Sequence, residues 1–455
     1  MLKKILTILQ EKKQLRSVLL LVSGTAGAQA ILVLALPILT RIYSPEDFST
    51  LSVYVAILGI ISTAACLRLD LAIPLPENDS EAINLLALAL FFSLTTSVIT
   101  SLLLLLLPNN SIRNLLTPAL FDYVWLLPLG VFLSSTYNAL QYWATRKKLF
   151  PTITRTRLEQ SIAAVSTQIG LGYITQTPLI LILGQILNSS AGIFRLASNV
   201  IKLEKNILRS ISPHSMYRAL GNYKDFPKYS TFESLANTAG IQLPFIIIAS
   251  TVVGPEAGCL MLASRILQAP LSLLGSAVAQ VYLTHAPQAC RDGTLSTLTY
   301  KTLVNLMKAG VGPLIFLGSL SPMIFPYIFG EEWSRAGKLA AWITPWVVLQ
   351  FISSPISMVG HILGRQKLML YLTLLGFILR TGGVIYLSYA IKSPYVSEYY
   401  AVSGAIFYLI CLLTFTTHAS ISKKQIFQAV FESKNYITPW LLAGGAASYL
   451  VKWLT

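Results

Sequence analysis

The chain has 455 residues, 54% of them hydrophobic and only 11% charged, with a mean hydropathy of +0.64. Soluble domains carry about a quarter of their residues as charges, so the composition excludes an ordinary soluble protein and leaves a many-helix membrane protein. The formal net charge of +16 would suit nucleic acid only as a basic face on a folded soluble module, and no segment between the apolar runs is long enough to build one.

Dividing the chain by the ~20 apolar residues that cross a bilayer gives twelve runs: 17–39, 50–68, 84–106, 121–143, 160–175, 178–200, 230–253, 257–285, 303–328, 338–362, 367–390 and 399–416. Lys3, Lys4, Lys12, Lys13 and Arg16 precede the first run, and Ala28-Gln29-Ala30 has the look of a cleavage site. The run resumes at Ile31 and continues to Leu39, too long for a signal-peptide core, so a first spanning helix is favoured over a cleaved leader. A last run, 437–454, is shorter and interrupted by Gly444, Gly445 and Lys452; it either spans or lies at the interface. The four cysteines, Cys66, Cys259, Cys290 and Cys411, are far apart and form no CxxC or Cys/His cluster, so they carry no metal or disulfide signal.

Basic residues fall unevenly between the runs. One set of connections holds the N-terminal lysines, Arg68, Arg146, Lys147, Lys148, Arg155, Arg157, Lys202, Lys205, Arg209, Arg218, Lys224, Lys228, Arg291, Lys301, Arg365, Lys367, Lys423, Lys424 and Lys434. The opposite set holds Arg41, Arg113, Arg335, Lys338 and Lys392. The positive-inside rule therefore predicts a cytoplasmic N-terminus, and most of the excess charge is a topology signal.

The first and seventh runs share a pattern, Thr25-Ala26-Gly27-Ala28-Gln29 and Thr238-Ala239-Gly240-Ile241-Gln242, each followed by a Pro-Glu turn at Pro45-Glu46 and Pro255-Glu256. Thr145-Arg146-Lys147-Lys148-Leu149 after the fourth run is answered by Gly364-Arg365-Gln366-Lys367-Leu368 after the tenth. Matches in the same order at equivalent positions predict a six-helix duplication with both halves in the same orientation, as in transporters built from parallel repeats. The predicted organisation is an N-terminal six-helix bundle over 1–200, a cytoplasmic linker over 201–229, a C-terminal six-helix bundle over 230–420, and a segment over 421–455 with the extra helix. The expected fold is all-α, two pseudo-symmetric six-helix bundles around a central cavity.

Ionisable residues deep in spans face a protein interior or a water-filled cavity. Arg380 lies mid-run, with Thr373, Gly376 and Gly383 on its face; Arg265 heads a stripe of Gln268, Ser272 and Gly275; Arg195 continues Gln185, Asn188 and Gly192. Asn138, with Ser134 and Gln141, marks the fourth run, and Gln29 and Gln242 share faces with Thr25 and Thr238. The competing account is helix packing by small and polar residues, with Arg195 and Lys308 snorkelling to the headgroups. Guanidinium forks suit phosphate or carboxylate oxygens, and the amides and hydroxyls suit a sugar. The acidic candidates for a proton or cation site are Glu233 and Asp70, both near an interface, where a solvated or salt-bridged role competes.

Several segments together resemble one family. They are Pro37-Ile-Leu-Thr-Arg41-Ile-Tyr-Ser-Pro-Glu-Asp-Phe48, Arg68-Leu-Asp70-Leu-Ala-Ile-Pro-Leu-Pro76 followed by Glu81-Ala82, Tyr223-Lys-Asp-Phe-Pro227, Ala263-Ser-Arg265-Ile-Leu-Gln-Ala-Pro270, and Phe329-Gly-Glu-Glu-Trp333 with Ala336-Gly337. The chain resembles polysaccharide repeat-unit flippases, the O-antigen type, of the polysaccharide-transporter branch of the multidrug/oligosaccharidyl-lipid/polysaccharide exporter superfamily. It departs from them at Ser49, where a glycine is usual, and in the extra C-terminal run. The resemblance implies a non-enzymatic carrier without cofactor in a bacterial inner membrane. It would turn an undecaprenyl-pyrophosphate-linked glycan from the cytoplasmic to the periplasmic leaflet by alternating access, among membrane lipids and beside a polysaccharide polymerase complex. Arg265 and Arg380, with Arg195, would supply the cationic lumen, and Arg68 matches a motif position. Two rivals stand beside this reading: a multidrug or small-solute exporter of the same superfamily, disfavoured by the positive sign of the buried charges, and a membrane polysaccharide polymerase or ligase, disfavoured by short outward loops and the lack of a catalytic constellation.

Overall fold

The computed structural model describes residues 23–106, 118–252, 254–271 and 275–454. The N-terminal lysines, Arg113 and Ser272 of the sequence reading lie outside the described residues. Every regular element among the described residues is helical. The long helices, numbered here in chain order, are α1 Ser23–Ile42, α2 Pro45–Ala65, α3 Asp79–Leu106, α4 Leu126–Arg146, α5 Phe150–Gly172, α6 Pro178–Lys202, α7 Phe226–Thr251, α8 Glu256–Pro270, α9 Ser276–Arg291, α10 Leu295–Phe329, α11 Glu331–Gly360, α12 Lys367–Ile391, α13 Val396–His418 and α14 Lys423–Leu454. Nine of the helices among the described residues are long and apolar enough to cross a membrane: α1, α2, α3, α6, α7, α10, α11, α12 and α13. The chain is a polytopic all-α membrane protein.

Three expected runs look different in the structure. The run 257–285 is two helices, α8 and α9, on either side of residues outside the description. The run 121–143 becomes α4, displaced towards Arg146. The run expected at 160–175 belongs to a helix that starts at Phe150. Its first turns are polar but paired: Arg155 Nε meets Glu159 Oε1 at 3.3 Å one turn on, and Arg157 Nη2 donates to Gln141 Oε1 of α4 at 2.8 Å. Such pairs sustain a helix that an apolar-run criterion truncates.

Local sequence explains the helix ends. Ser44 and Asp47 cap α2 reciprocally, in the manner of a capping box: the Ser44 backbone N donates to Asp47 Oδ2 at 3.0 Å, and Asp47 N donates to Ser44 Oγ at 3.2 Å; Pro45 takes the first helical position, where its missing N–H costs nothing. Between α2 and α3, the chain over 74–79 is held by one side chain from α4. Arg146 donates to the carbonyls of Pro74 and Glu77 at 3.3 and 3.1 Å, also to that of Pro76, and to Asp79 Oδ1 at 2.9 Å. Its neighbour Lys147 bridges Asp79 and Glu204, at 2.7 Å each.

The chain forms two compact units. Unit 1 takes the residues up to Ala35 together with Val53–Gln242, so the cuts fall inside α1, α2 and α7. Its core joins Leu69, Ala72 and Ile73 after α2 to Leu85 and Leu86 of α3, Tyr137 and Trp143 of α4, Ile153 of α5 and Leu196 of α6. The segment expected as a linker folds onto this core. Ile207, Leu208, Met216 and Phe226 pack against it, Asn84 of α3 binds Ser210 O at 3.1 Å and Ser212 N at 3.2 Å, and Asn222 Nδ2 donates to Glu81 Oε1 at 2.9 Å. The break in α6 rests on Gly192, whose φ of +95° belongs to the left-handed region and where a Cβ would meet Thr156 Cγ2 at 2.6 Å, so only glycine fits there.

Unit 2 takes Leu36–Ser52 and the chain from Leu243 onward. The turn between α1 and α2 packs inside it. Trp333 is fully buried, donates from Nε1 to Thr40 O at 3.1 Å, and meets Phe48 edge-on at 4.9 Å between ring centroids. Arg41 Nη2 donates to Tyr327 O at 2.7 Å. Gly258 of α8 lies directly against the Pro45 carbonyl oxygen and the Ser49 backbone nitrogen, leaving no room for a Cβ. Arg335 links Glu256 Oε2 at 3.0 Å and Glu398 Oε1 at 2.7 Å, joining α8, α11 and α13.

Candidate functional site

A polar cavity in unit 1 starts from an unusual helix end. After α2, Leu67 and Arg68 have φ values of +49° and +56°, uncommon for side chains of this size. Each such residue costs about 1–2 kcal/mol. Burial of the flanking residues offsets it: Cys66 is buried and Leu69 completely so, both within the unit 1 core. The reversal leads into a short 3₁₀ turn, Leu69–Ala72, and brings Arg68 and Asp70 to the same cavity.

That cavity has a volume of about 220 Å³ and is lined by Gly59, Ser62 and Thr63 of α2, Cys66 just after it, Arg68, Asp70, Ser135 and Asn138 of α4, and Thr238 of α7. Two of its polar atoms, Arg68 Nε and Asp70 Oδ1, are buried and have no hydrogen-bond partner among the described residues. Asp70 is only 6% exposed. An unpartnered buried polar atom is costly, and this cavity holds two, on side chains of opposite charge. Asp70 lies outside the spanning helices, and burial pushes its carboxyl above the usual carboxylate range; the Arg68 guanidinium and the Leu71 backbone N–H pull the other way without reversing it. The remaining wall is mostly self-satisfied: Thr63 Oγ1 lies 3.2 Å from Thr238 Oγ1 and donates to Gly59 O at 2.7 Å, and Ser135 Oγ lies 2.5 Å from Ser93 Oγ. At Gly59 a Cβ would stand 3.4 Å from Gln242 Nε2, which puts Gln242 directly beside this wall.

The structure thus brings together Arg68, Asp70 and Asn138, with Gln242 adjacent. The other expected site residues are elsewhere. Gln29 is half-buried on α1 and does not line the cavity. Arg195 is occupied by Glu159, Nε to Oε2 at 3.1 Å, so its charge is neutralised in an ion pair that also involves Arg155. Glu233 is exposed. In unit 2, Arg265 is half-buried and Gln268 exposed. Arg380 is 3% exposed, in a π-helical turn of α12 spanning Ile378–Gly382. Its Nε donates to Gly376 O at 3.1 Å and its guanidinium carbon stands 4.7 Å from the centre of the Phe407 ring. It forms no ion pair among the described residues. Sequence reasoning misses Gly59, Ser62, Thr63 and Ser135. The signal for the first three is present, because positions 59, 62, 63 and 66 recur at the i, i+3, i+4, i+7 spacing of one helix face.

The sequence profile of the polysaccharide biosynthesis protein family matches residues 38–338. The chain belongs to this family. The matched stretch contains Arg68, Asp70, Asn138, Thr238 and Arg265. No curated protein matches by sequence. Among solved structures, the chain resembles the lipid II flippase MurJ in an inward closed conformation, with a TM-score of 0.69 at 13% identity over 96% of this chain and 97% of that one. It resembles an inward-facing multidrug resistance MATE transporter of the MOP superfamily, with a TM-score of 0.65 at 14% identity over 88% of this chain and 94% of that one. A MOP-superfamily transporter of Pyrococcus furiosus is similar at a TM-score of 0.54 and 15% identity over 89% and 95%. At these identities the likeness is one of fold, and these neighbours are a flippase and transporters rather than enzymes.

Proposed function

We propose that this member of the polysaccharide biosynthesis family is a flippase. It moves an undecaprenyl-pyrophosphate-linked oligosaccharide from the cytoplasmic to the periplasmic leaflet of a bacterial inner membrane, for assembly of O-antigen or another surface polysaccharide. The observation that carries this reading is the cavity at the end of α2, where a buried guanidinium nitrogen without a partner meets hydroxyls and an amide. A guanidinium suits phosphate oxygens, and the hydroxyls and amide suit a sugar. At about 220 Å³ the cavity is smaller than the ~300–1,000 Å³ of sites that enclose a drug-sized ligand, so it takes the charged end of the substrate rather than the whole repeat unit. The unpartnered guanidinium nitrogen of Arg68 favours a pyrophosphate-linked substrate over a cationic drug.

Alternating access would carry the substrate across. In this reading Arg265 and Arg380 supply further positive charge along the path, and Asp70 is the ion-coupling carboxylate rather than the exposed Glu233. The N-terminus is cytoplasmic, and a polysaccharide polymerase complex receives the product. The test is delivery of surface polymer by Arg68→Gln at matched membrane expression. At least a tenfold loss is expected; delivery at the unsubstituted level overturns the assignment of this cavity to the substrate.

A further inference from the structure

The last helix poses a question that composition leaves open, and its packing against α10 answers it. Within unit 2, α14 meets α10 along one face. Tyr300 Oη donates to Glu432 Oε1 at 2.9 Å. Lys308 Nζ stands 5.2 Å from the centre of the Tyr436 ring. Trp440 covers Gly312, where no side chain would fit, and meets Phe316 edge-on at 5.4 Å. Gly444 lies against Ser319. Residue numbers rise together along both helices, 300 with 432, 308 with 436, 312 with 440 and 319 with 444. An antiparallel pair would show one number rising as the other falls. The two helices therefore run parallel.

Their apolar stretches also begin at the same level. In α10 the last basic residue is Lys308, and 309–329 carries no charge. In α14 the last basic residue before the apolar stretch is Lys434, and 435–451 carries none until Lys452. Lys308 and Tyr436, a cation and an aromatic ring in contact, stand where the uncharged stretches start, the residue types that anchor helices at a membrane interface. Seventeen uncharged residues are at the lower limit of the ~17–25 needed to span, and because the stretch is less apolar than the nine helices counted above, its pairing with α10 carries the inference. Over this stretch, Leu441 and Leu442 are exposed on the faces away from α10, as lipid contact demands.

We infer that α14 is a membrane-spanning helix running parallel to α10, so that Lys423 and Leu454 lie on opposite faces of the membrane. This does not depend on the proposed substrate. It adds a span to the twelve expected from duplication, and an odd addition reverses the side on which the chain emerges.

The experiment uses the full-length chain. Cys66, Cys259 and Cys411 are buried, so Cys290→Ser provides the background for two single reporters, Lys424→Cys and Thr455→Cys. A membrane-impermeant maleimide applied to intact cells should label one reporter and not the other, with the second labelled after permeabilisation. Labelling of both from the same side overturns the inference. Oxidative cross-linking provides a second readout independent of labelling. The pairs Tyr300→Cys with Glu432→Cys and Phe316→Cys with Trp440→Cys should cross-link at least tenfold better than the mismatched Tyr300→Cys with Trp440→Cys. The reverse preference overturns the parallel register.

Discussion

Thr63 Oγ1 and Thr238 Oγ1 lie 3.2 Å apart, tying α2 to the first half of α7 at the wall of the Arg68 cavity. Thr238 belongs to the segment Thr238-Ala239-Gly240-Ile241-Gln242 that repeats the pattern of the first helix, and Gln242, one turn on, reaches Gly59 one turn before Thr63. The repeat motif therefore forms a seam between helices rather than an isolated polar stripe. Interhelical hydrogen bonds in membranes are worth about 0.6 kcal/mol on average by double-mutant cycles. A cycle of Thr63→Val and Thr238→Val, followed by unfolding in detergent, should give a coupling of about that size. A coupling indistinguishable from zero would mean that the two hydroxyls do not act on each other.

Asp70 gives a prediction with a sign. Burial raises its carboxyl above the ordinary value, which in unfolded chains is about 3.9. The folded state therefore holds the proton more tightly than the unfolded state. Its contribution to stability is fully present below the unfolded value and is lost as pH rises through the folded value. Asp70→Asn keeps the shape and removes the titration. Relative to that variant, the unsubstituted protein should lose melting temperature as pH climbs above about 4, until pH passes the raised folded value, beyond which the difference stays constant. A difference that is flat across the whole range would show that Asp70 does not titrate in that window.

Arg146 should be irreplaceable for geometric reasons. Its fork reaches three carbonyls and a carboxylate at once, and its side chain is only 10% exposed. A single Lys ammonium cannot span such a set. Arg146→Ala removes the donor from three carbonyls, part-buried at Pro74 and Pro76 and exposed at Glu77, and should cost about 1–2 kcal/mol, seen as a lowered melting temperature in detergent. Arg146→Lys should recover less than half of that loss. Full recovery would reduce Arg146 to a point charge.

The apolar runs are legible in the sequence because burial in lipid demands uninterrupted hydrophobicity, and the long helices follow them. Legibility fails where polar residues are paired within the protein. The start of α5 at Phe150 depends on Arg157 finding Gln141, and the folding of the 201–229 segment depends on Asn84 reaching Ser210 and Ser212. A linear sequence contains those residues but not their pairings. The same holds for the candidate site. Arg68 and Asp70 stand out as charges near an apolar run, yet their shared cavity arises from two consecutive left-handed residues, Leu67 and Arg68, with no glycine to announce the turn. Arg195 illustrates the converse: it looks unpaired along its helix, and its partner Glu159 comes from the preceding one.

Arg380 separates a structural cation from a functional one. It is buried, stacks on Phe407 and has no ion pair among the described residues. Desolvating a charge without an anion is costly, and replacing buried charges by apolar groups of similar volume is often neutral or stabilising. On stability alone, Arg380→Met should therefore be tolerated, with a melting temperature equal to or above that of the unsubstituted protein. A cation retained for substrate has a different signature: Arg380→Met should keep or raise stability while losing at least tenfold in surface polymer delivery at matched expression, and Arg380→Lys should restore part of the delivery by restoring the charge. If Arg380→Met instead unfolds the protein while Arg380→Lys rescues both readouts together, the residue serves the packing of α12 on α13 and leaves the substrate path. The π-helical turn favours the functional outcome, since such turns are frequent at functional sites.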